Sequence, residues 1–261
     1  MVRPTTFFEW VEFLLQQYGS LFLRGTGITL LVAITGTVLG FLLGLLVAIV
    51  RTIPVSRKDP LYKKIPLKIA QFLLGTYIEV FRGTPMMVQA MIIYYGAMQY
   101  LDLRMPVLVA AVVIVSINTG AYMAEIIRGG IISVDKDQKE AAYAMGLTHW
   151  QSMTGVVLPQ AVRNIMPSIG NEFVVNIKDS SVLNVISVGE LFFMSKSAAG
   201  TYLRYFEVFF ITGCIYLVLT ISITRLLRLI ERKMDGKNHY TIYGSQSDSK
   251  SSITIENKKE A

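Results

Sequence analysis

The chain has 261 residues, 52% of them hydrophobic and 16% charged, with a formal net charge of +7 and a mean hydropathy of +0.49. That is too apolar for an ordinary soluble domain of this length and makes a lipid bilayer the expected solvent. One cysteine, Cys214, and two histidines far apart in sequence suggest neither a disulfide framework nor a metal site. The basic residues follow a membrane pattern rather than that of a nucleic-acid partner.

In chain order, the opening MVRPTTFFEW lacks the basic stretch and small-residue cleavage site of a signal peptide, so the first span is expected to stay in the mature protein. Residues 1–25 are expected to form an outer-interface segment. Within it FFEWVEFLLQQYGSLFL carries Glu9 and Glu12 among aromatics. That stretch reads as an amphipathic helix lying on the outer surface, or as a packing extension of the first span. Crossing a hydrocarbon core of about 30 Å takes roughly 20 apolar residues. Five spans are predicted, at about 28–50, 83–101, 105–127, 165–189 and 206–224. The first three hold long uncharged runs, and the last closes on Arg225, Arg228, Arg232 and Lys233. The fourth is interrupted by Glu172, Lys178 and Asp179. Leu67 to Phe81 has helical apolar spacing and leads into the second span across Arg82, Gly83, Thr84 and Pro85. The membrane domain is thus 26–233, and the polar, Ser- and Lys-rich residues 234–261 are expected to be a disordered cytoplasmic tail.

The connections support an odd number of crossings. Six basic residues lie in 51–68, four in 128–163 and eight after Thr224, against Arg3, Arg24, Arg104, Lys196 and Arg204 on the other side. The basic side is cytoplasmic by the positive-inside rule, which puts the N-terminus outside and the C-terminus inside. Four spans would separate the tail from the basic first loop, so the interrupted fourth segment is expected to cross.

Ionisable groups at membrane depth cost roughly 2.5 to 3.5 kcal/mol each at a helix centre, so they face a bundle interior or a wet cavity. Glu172, Asn176, Asp179 and Ser180 share one helical face by their spacing. Unwinding near KDSS would turn Lys178 inward to pair with Glu172 or Asp179, and broken spans suit small zwitterions. Asn118, Tyr122 and Glu125 repeat the spacing on the third span, and Gln89 sits early in the second. Gln89, Asn118, Glu172, Lys178 and Asp179 are the candidate substrate-binding residues. The competing reading is that they hydrogen-bond between helices or across a dimer without touching substrate. Glu125 is expected to pair with Arg128 at i, i+3. Glu79 and Arg82 read as a surface pair at a helix end, or as part of an inner gate.

The longest internal connection, 129–164, contains EAAYAMGLTHWQSMTGVVLP. Two short helices broken at Gly146 are expected, since glycine permits the left-handed turn that ends a helix and Pro159 cannot continue a helix interior without losing a hydrogen bond. Small Ala141 and Ala142 beside Glu140 suit close approach of a partner, or packing on the chain itself.

This string is similar to the EAA loop of bacterial ATP-binding cassette (ABC) import permeases, with Glu140, Ala141, Ala142, Gly146, Val156, Leu158 and Pro159 at the motif positions and Val156 where Ile is commoner. FRGTPMMVQ, AYMAEIIRGGI and KDSSV resemble the polar amino-acid branch of that family, of histidine, glutamine or arginine type, over roughly residues 20–233. The resemblance implies an all-α integral membrane protein of type I ABC importer permease fold, and an EAA loop seated as a coupling helix on an ATPase. It further implies alternating access, with an ATPase dimer, a second permease chain identical or homologous to this one, and an extracytoplasmic amino-acid-binding protein as partners in the bacterial plasma membrane. No GxxxxGK[ST] phosphate loop occurs, so this chain is expected to be no enzyme and to hold no cofactor of its own, with ATP and Mg bound by the partner. An ion-driven transporter using Glu172 and Asp179 and a non-transporting scaffold are the competing classes. Acidic Glu172 and Asp179 favour a cationic cargo such as arginine, lysine or histidine, with glutamine and cystine open.

Overall fold

The computed structural model describes residues 4–53, 55, 60–235, 241–242 and 253–254. They form an all-α bundle: α1 (Phe7–Thr52), α2 (Leu61–Gly83), α3 (Met86–Tyr100), α4 (Val107–Ser133), α5 (Lys136–Ala144), the short α6 (His149–Ser152), α7 (Leu158–Asp179), α8 (Leu191–Tyr202) and α9 (Tyr205–Asp235). A two-residue antiparallel ladder pairs Thr241–Ile242 with Ile253–Thr254. The disordered tail expected beyond α9 otherwise lies outside the described residues. Three helices, α1, α4 and α9, are long and apolar enough to cross a membrane. A fourth crossing arises if Trp150–Ile186 and α8, bent by 56° at their break, count as one span.

The 46 residues of α1 make a helix about 69 Å long. Thr6 and Glu9 close a capping box at its start, and nothing interrupts it before Thr52. Residues 7–25 therefore continue the first long helix, the packing extension that was one of the two readings of this stretch. The physical reason is packing: Leu14 and Phe22 sit in a core with Leu191, Ala198 and Val208 of α8 and α9. Gly25 allows the closest approach, because a Cβ there would stand 2.8 Å from Leu191 Cα.

Lower on α1, Gly36, Gly40 and Gly44 lie against α4, and a Cβ at Gly40 would meet Thr119 Cβ at 2.7 Å. Small residues let backbones approach where lipid supplies no hydrophobic drive between helices. Beside this seam one polar group joins three helices. Asn176 Nδ2 donates to Thr37 Oγ1 at 2.8 Å and to Thr119 Oγ1 at 3.0 Å, and Thr119 Oγ1 stands 3.1 Å from Asn176 Oδ1.

The second predicted span, 83–101, is α3, with the break from α2 at its start. Pro85 has no N–H to continue α2, and the 15 residues of α3 are about 22 Å long, short of a hydrocarbon core on their own. The last turns of α2 must complete any crossing. At the basic end Gln71 Nε2 donates to Val50 and Ile53 carbonyls at 3.2 and 2.9 Å, while Gly130 of α4 meets Ala161 and Ile165 of α7. The ends bearing Arg51, Lys68, Arg128 and Arg163 thus gather together.

Candidate functional site

α2, α4 and α7 leave a cavity of about 560 Å3 among them, lined by Arg82, Tyr122, Glu125, Ile126, Pro167, Ser168, Asn171 and Glu172. Its volume falls in the range of small-molecule sites. Tyr122 lies past the middle of α4 and Arg82 one residue before the end of α2, and Glu125 beside them pairs with Arg51 and Arg128, so the cavity reaches toward the basic end; Arg82 is exposed and Glu172 half-buried.

Of the five candidate substrate residues, the cavity takes Glu172. Gln89 and Asn118 are committed elsewhere. Gln89 Nε2 donates to the carbonyls of Phe81 and Thr84 at 2.8 and 2.9 Å, and Asn118 Nδ2 donates to Gln89 Oε1 at 2.8 Å. Phe81 and Thr84 carry carbonyls that the break at Pro85 deprives of helical partners, and a buried side-chain amide supplies the missing donor. This is the inter-helix reading of the two residues.

The polar stripe on α7 divides. On an ideal helix Asn176 and Ser180 stand about 40° and 80° to one side of Glu172, and Asp179 about 20° to the other. That spread decides their fate: Asn176 and Ser180 are buried in the core, while Glu172 and Asp179 stay half-buried. The helix does tighten into a 3-10 turn over Ser180–Ile186, yet Lys178 remains exposed. Among the described residues it makes no ion pair with Glu172 or Asp179, a correction to the inward turn expected near KDSS. Arg82 also departs from expectation, lying over the Tyr122 ring with its guanidinium carbon 5.5 Å from the centroid and making no described pair with Glu79. Glu125 accepts from Arg128 Nε and Nη2 at 3.1 and 2.8 Å, the expected pair, and also from Arg51 of α1.

At the basic end α5 carries Glu140 and Ala141 exposed and Ala142 buried. Gly146, at φ +82°, ends it: Leu147 N–H reaches Ala142 O at 3.1 Å and Gly146 N–H reaches Tyr143 O at 2.9 Å, the pair of bonds that closes a Schellman motif. Met145 and Trp150 beside it are each 73% exposed. Leu158 and Pro159, also exposed, begin α7 after a π turn over Met153–Val157.

Residues 65–236 match the family described as "Binding-protein-dependent transport system inner membrane component". The arginine transport system permease protein ArtQ of Bacillus subtilis (strain 168) is 37% identical over 83% of this chain and 93% of its own length. The glutamine transport system permease protein GlnP of Escherichia coli (strain K12) is 36% identical over 82% and 93%. This chain belongs to that inner-membrane component family. A solved structure described as an amino acid ABC transporter with histidines is 36% identical and superposes with a TM-score of 0.77 over 88% of this chain and 100% of that one. A chain of the inward-facing MetNI methionine ABC transporter, 19% identical with a TM-score of 0.67 over 84% and 98%, shares the fold. The type I permease fold, embedded in the membrane by several apolar helices, follows.

Two features of this permease-family chain lay beyond the sequence reading. Arg51 joins Glu125 from a helix 74 residues away, a contact with no local signal. Glu190, 0% exposed, caps α8: its oxygens accept from Phe192 and Phe193 N–H at 2.8 and 2.6 Å and from the Tyr216 hydroxyl at 3.0 Å. Its signal was a carboxylate just ahead of the apolar run LFFM, weak because Asp and Asn are commoner caps than Glu.

Proposed function

We propose that this chain is the transmembrane permease subunit of an ABC importer that carries polar L-amino acids into the cytoplasm by alternating access. ATP, with Mg, is hydrolysed by a separate ATPase dimer docked on the EAA loop, and this chain supplies the path. The observation that carries the reading is α5: at the basic end of the bundle, Glu140 and Ala141 face outward beside exposed Met145 and Trp150, on a helix held by buried Ala142 and ended at Gly146. Leu158 and Pro159 begin the helix that runs from this element to the cavity, so a displacement of α5 has a rigid route to Glu172. The names of the arginine and glutamine permeases and of the amino acid transporter structure support polar amino acids as cargo.

Five crossings with the N-terminus outside complete the proposal, α2 and α3 together making the second and α7 with its 3-10 extension the fourth. A second permease chain and an extracytoplasmic binding protein complete the complex. Glu172 and Asp179 border the path, with Lys178 beside them, and Gln89 and Asn118 shape it by holding the bend between α2 and α3. The test is reconstitution of this chain with its ATPase and binding protein in liposomes, followed by a competition panel of amino acids against ATP-dependent uptake. Uptake of a polar amino acid that needs ATP and the ATPase is expected. Accumulation by this chain alone on an ion gradient would replace the importer by a secondary transporter.

A further inference from the structure

The first three turns of α2 present an apolar stripe that the rest of the chain leaves uncovered. Leu61, Ile65, Ile69 and Phe72 recur at i, i+4, i+8 and i+11, within about 80° of one another on an ideal helix, and all four are exposed. The packed side of α2 lies elsewhere. Gln71 ties it to the end of α1, Leu74 and Tyr77 pack beside Val47 and Ala124, and among the described residues of α2 only Ile78 is buried. On an ideal helix Ile78 points roughly 130° away from the centre of the stripe.

The same turns are basic. Between Pro60 and Ile78 the sequence holds Lys63, Lys64 and Lys68 and no acidic residue, and among the described residues none of the three lysines pairs with a carboxylate. Lys64 and Lys68 stand one turn apart along one edge of the stripe. Lys63 projects from another side, with its ammonium 5.7 Å from the centroid of the Tyr62 ring. Pro66, inside the helix, has no N–H to offer the Tyr62 carbonyl, which therefore needs water or another donor.

These features fix the surroundings of the segment. The hydrocarbon core would leave the ammonium groups and the freed carbonyl without hydration, and bulk water would leave the stripe unburied. The headgroup layer of the bilayer answers both needs, with acyl chains below and phosphates beside. A protein partner fits less well, because lysine is depleted at protein interfaces, whereas a basic edge along an apolar stripe is the pattern of a helix seated on a membrane surface.

We propose that the first three turns of α2 dock anionic phospholipid at the basic end of the bundle, the stripe lying among its acyl chains and Lys64 and Lys68 holding its negative headgroup, with Lys63 adding charge. Because α2 runs unbroken to Gly83, the docked lipid anchors the helix that carries Arg82 to the cavity.

The experiment uses the purified permease–ATPase complex in nanodiscs of equal parts phosphatidylglycerol and phosphatidylcholine, with one or the other carrying a photoreactive diazirine near its headgroup. Mass spectrometry after illumination locates the labelled residues. At roughly 5-fold of attraction for each lysine near an anionic surface, phosphatidylglycerol is expected to label residues 61–73 about 10-fold more than phosphatidylcholine. Lys64→Gln with Lys68→Gln is expected to bring the ratio to within about 2-fold, Lys63→Gln to keep most of it, and arginine at positions 64 and 68 to preserve it. Raising NaCl from about 0.1 M to about 0.5 M is expected to lower the wild-type ratio, since the charges sit at a wet surface. ATPase copurification and an unchanged thermal midpoint report that the variants are folded. Equal labelling of the wild type by the two lipids, or a ratio that survives the double Lys→Gln change, overturns the proposal. Labelling of residues 61–73 that appears only after the ATPase is stripped away assigns the stripe to a protein partner and overturns it as well.

Discussion

Replacing Gly146 separates backbone geometry from surface chemistry in the docking loop. At φ +82° the residue occupies the left-handed region, where a Cβ costs roughly 1 to 2 kcal/mol against the following carbonyl. A Cβ there meets nothing within 4 Å, so the penalty is conformational alone. Asparagine visits that region readily, alanine pays about 1 kcal/mol, and β-branched valine sits at the upper limit of about 2 kcal/mol. The alternative open to the chain is to release the Leu147 to Ala142 and Gly146 to Tyr143 bonds and fray the last turn of α5. If the ATPase binds only the ordered turn, a penalty of 1 to 2 kcal/mol weakens docking by roughly 5- to 30-fold. The assay is the affinity of the ATPase for the permease in nanodiscs, measured for Gly146→Asn, Gly146→Ala and Gly146→Val together with the thermal midpoint of the permease. Affinity is expected to fall in that order with the midpoint unchanged, since the loop lies outside the bundle core. Equal affinities across the series, or Asn as damaging as Val, would refute the argument from φ.

Three further perturbations probe the bundle itself. Asn176→Ala removes three contacts between α1, α4 and α7 and is expected to cost about 2 kcal/mol, at about 0.6 kcal/mol for each hydrogen bond in a membrane. A double-mutant cycle with Thr119→Ala, read by unfolding in SDS, checks it, and strictly additive single effects would contradict the shared network. Gly40→Ala is expected to destabilise despite about 1 kcal/mol of improved helix propensity, because the new Cβ would overlap Thr119, whereas Gly19→Ala, with nothing within 4 Å, is expected to gain up to that amount. The two thermal midpoints should therefore move in opposite directions. Glu190→Ala deprives two buried N–H groups and a tyrosine hydroxyl of their acceptor and is expected to cost about 3 kcal/mol or more, read by thermal unfolding, with Glu190→Gln keeping part of it.

The long apolar helices were legible because their signal is local: length and lack of charge define α1, α4 and α9, and the clustered arginines name their basic ends. The loop was legible in part for the same reason, since Gly146 ends α5 by chain geometry, whereas Pro159 sits in a helical run that a π turn over Met153–Val157 carries past it. Gln89 and Asn118 were not. A buried amide facing a cavity and one facing a broken helix present the same residue at the same depth. What separates them is the distance from Gln89 to the carbonyls of Phe81 and Thr84, which depends on how α2 and α3 meet at Pro85. The first 25 residues left two readings open, and Gly25 decides for the packing extension, because it is where α8 meets α1 backbone to backbone. Tertiary contact settled what local spacing left open.

A rule about polar groups in lipid sorts the remaining residues by role. Without water, each buried donor or acceptor needs a partner within the protein, and here most have one: Asn176 with Thr37 and Thr119, Gln89 with freed carbonyls, Glu190 with two N–H groups and Tyr216, Glu125 with two arginines. Each such closed set joins elements and holds them in register.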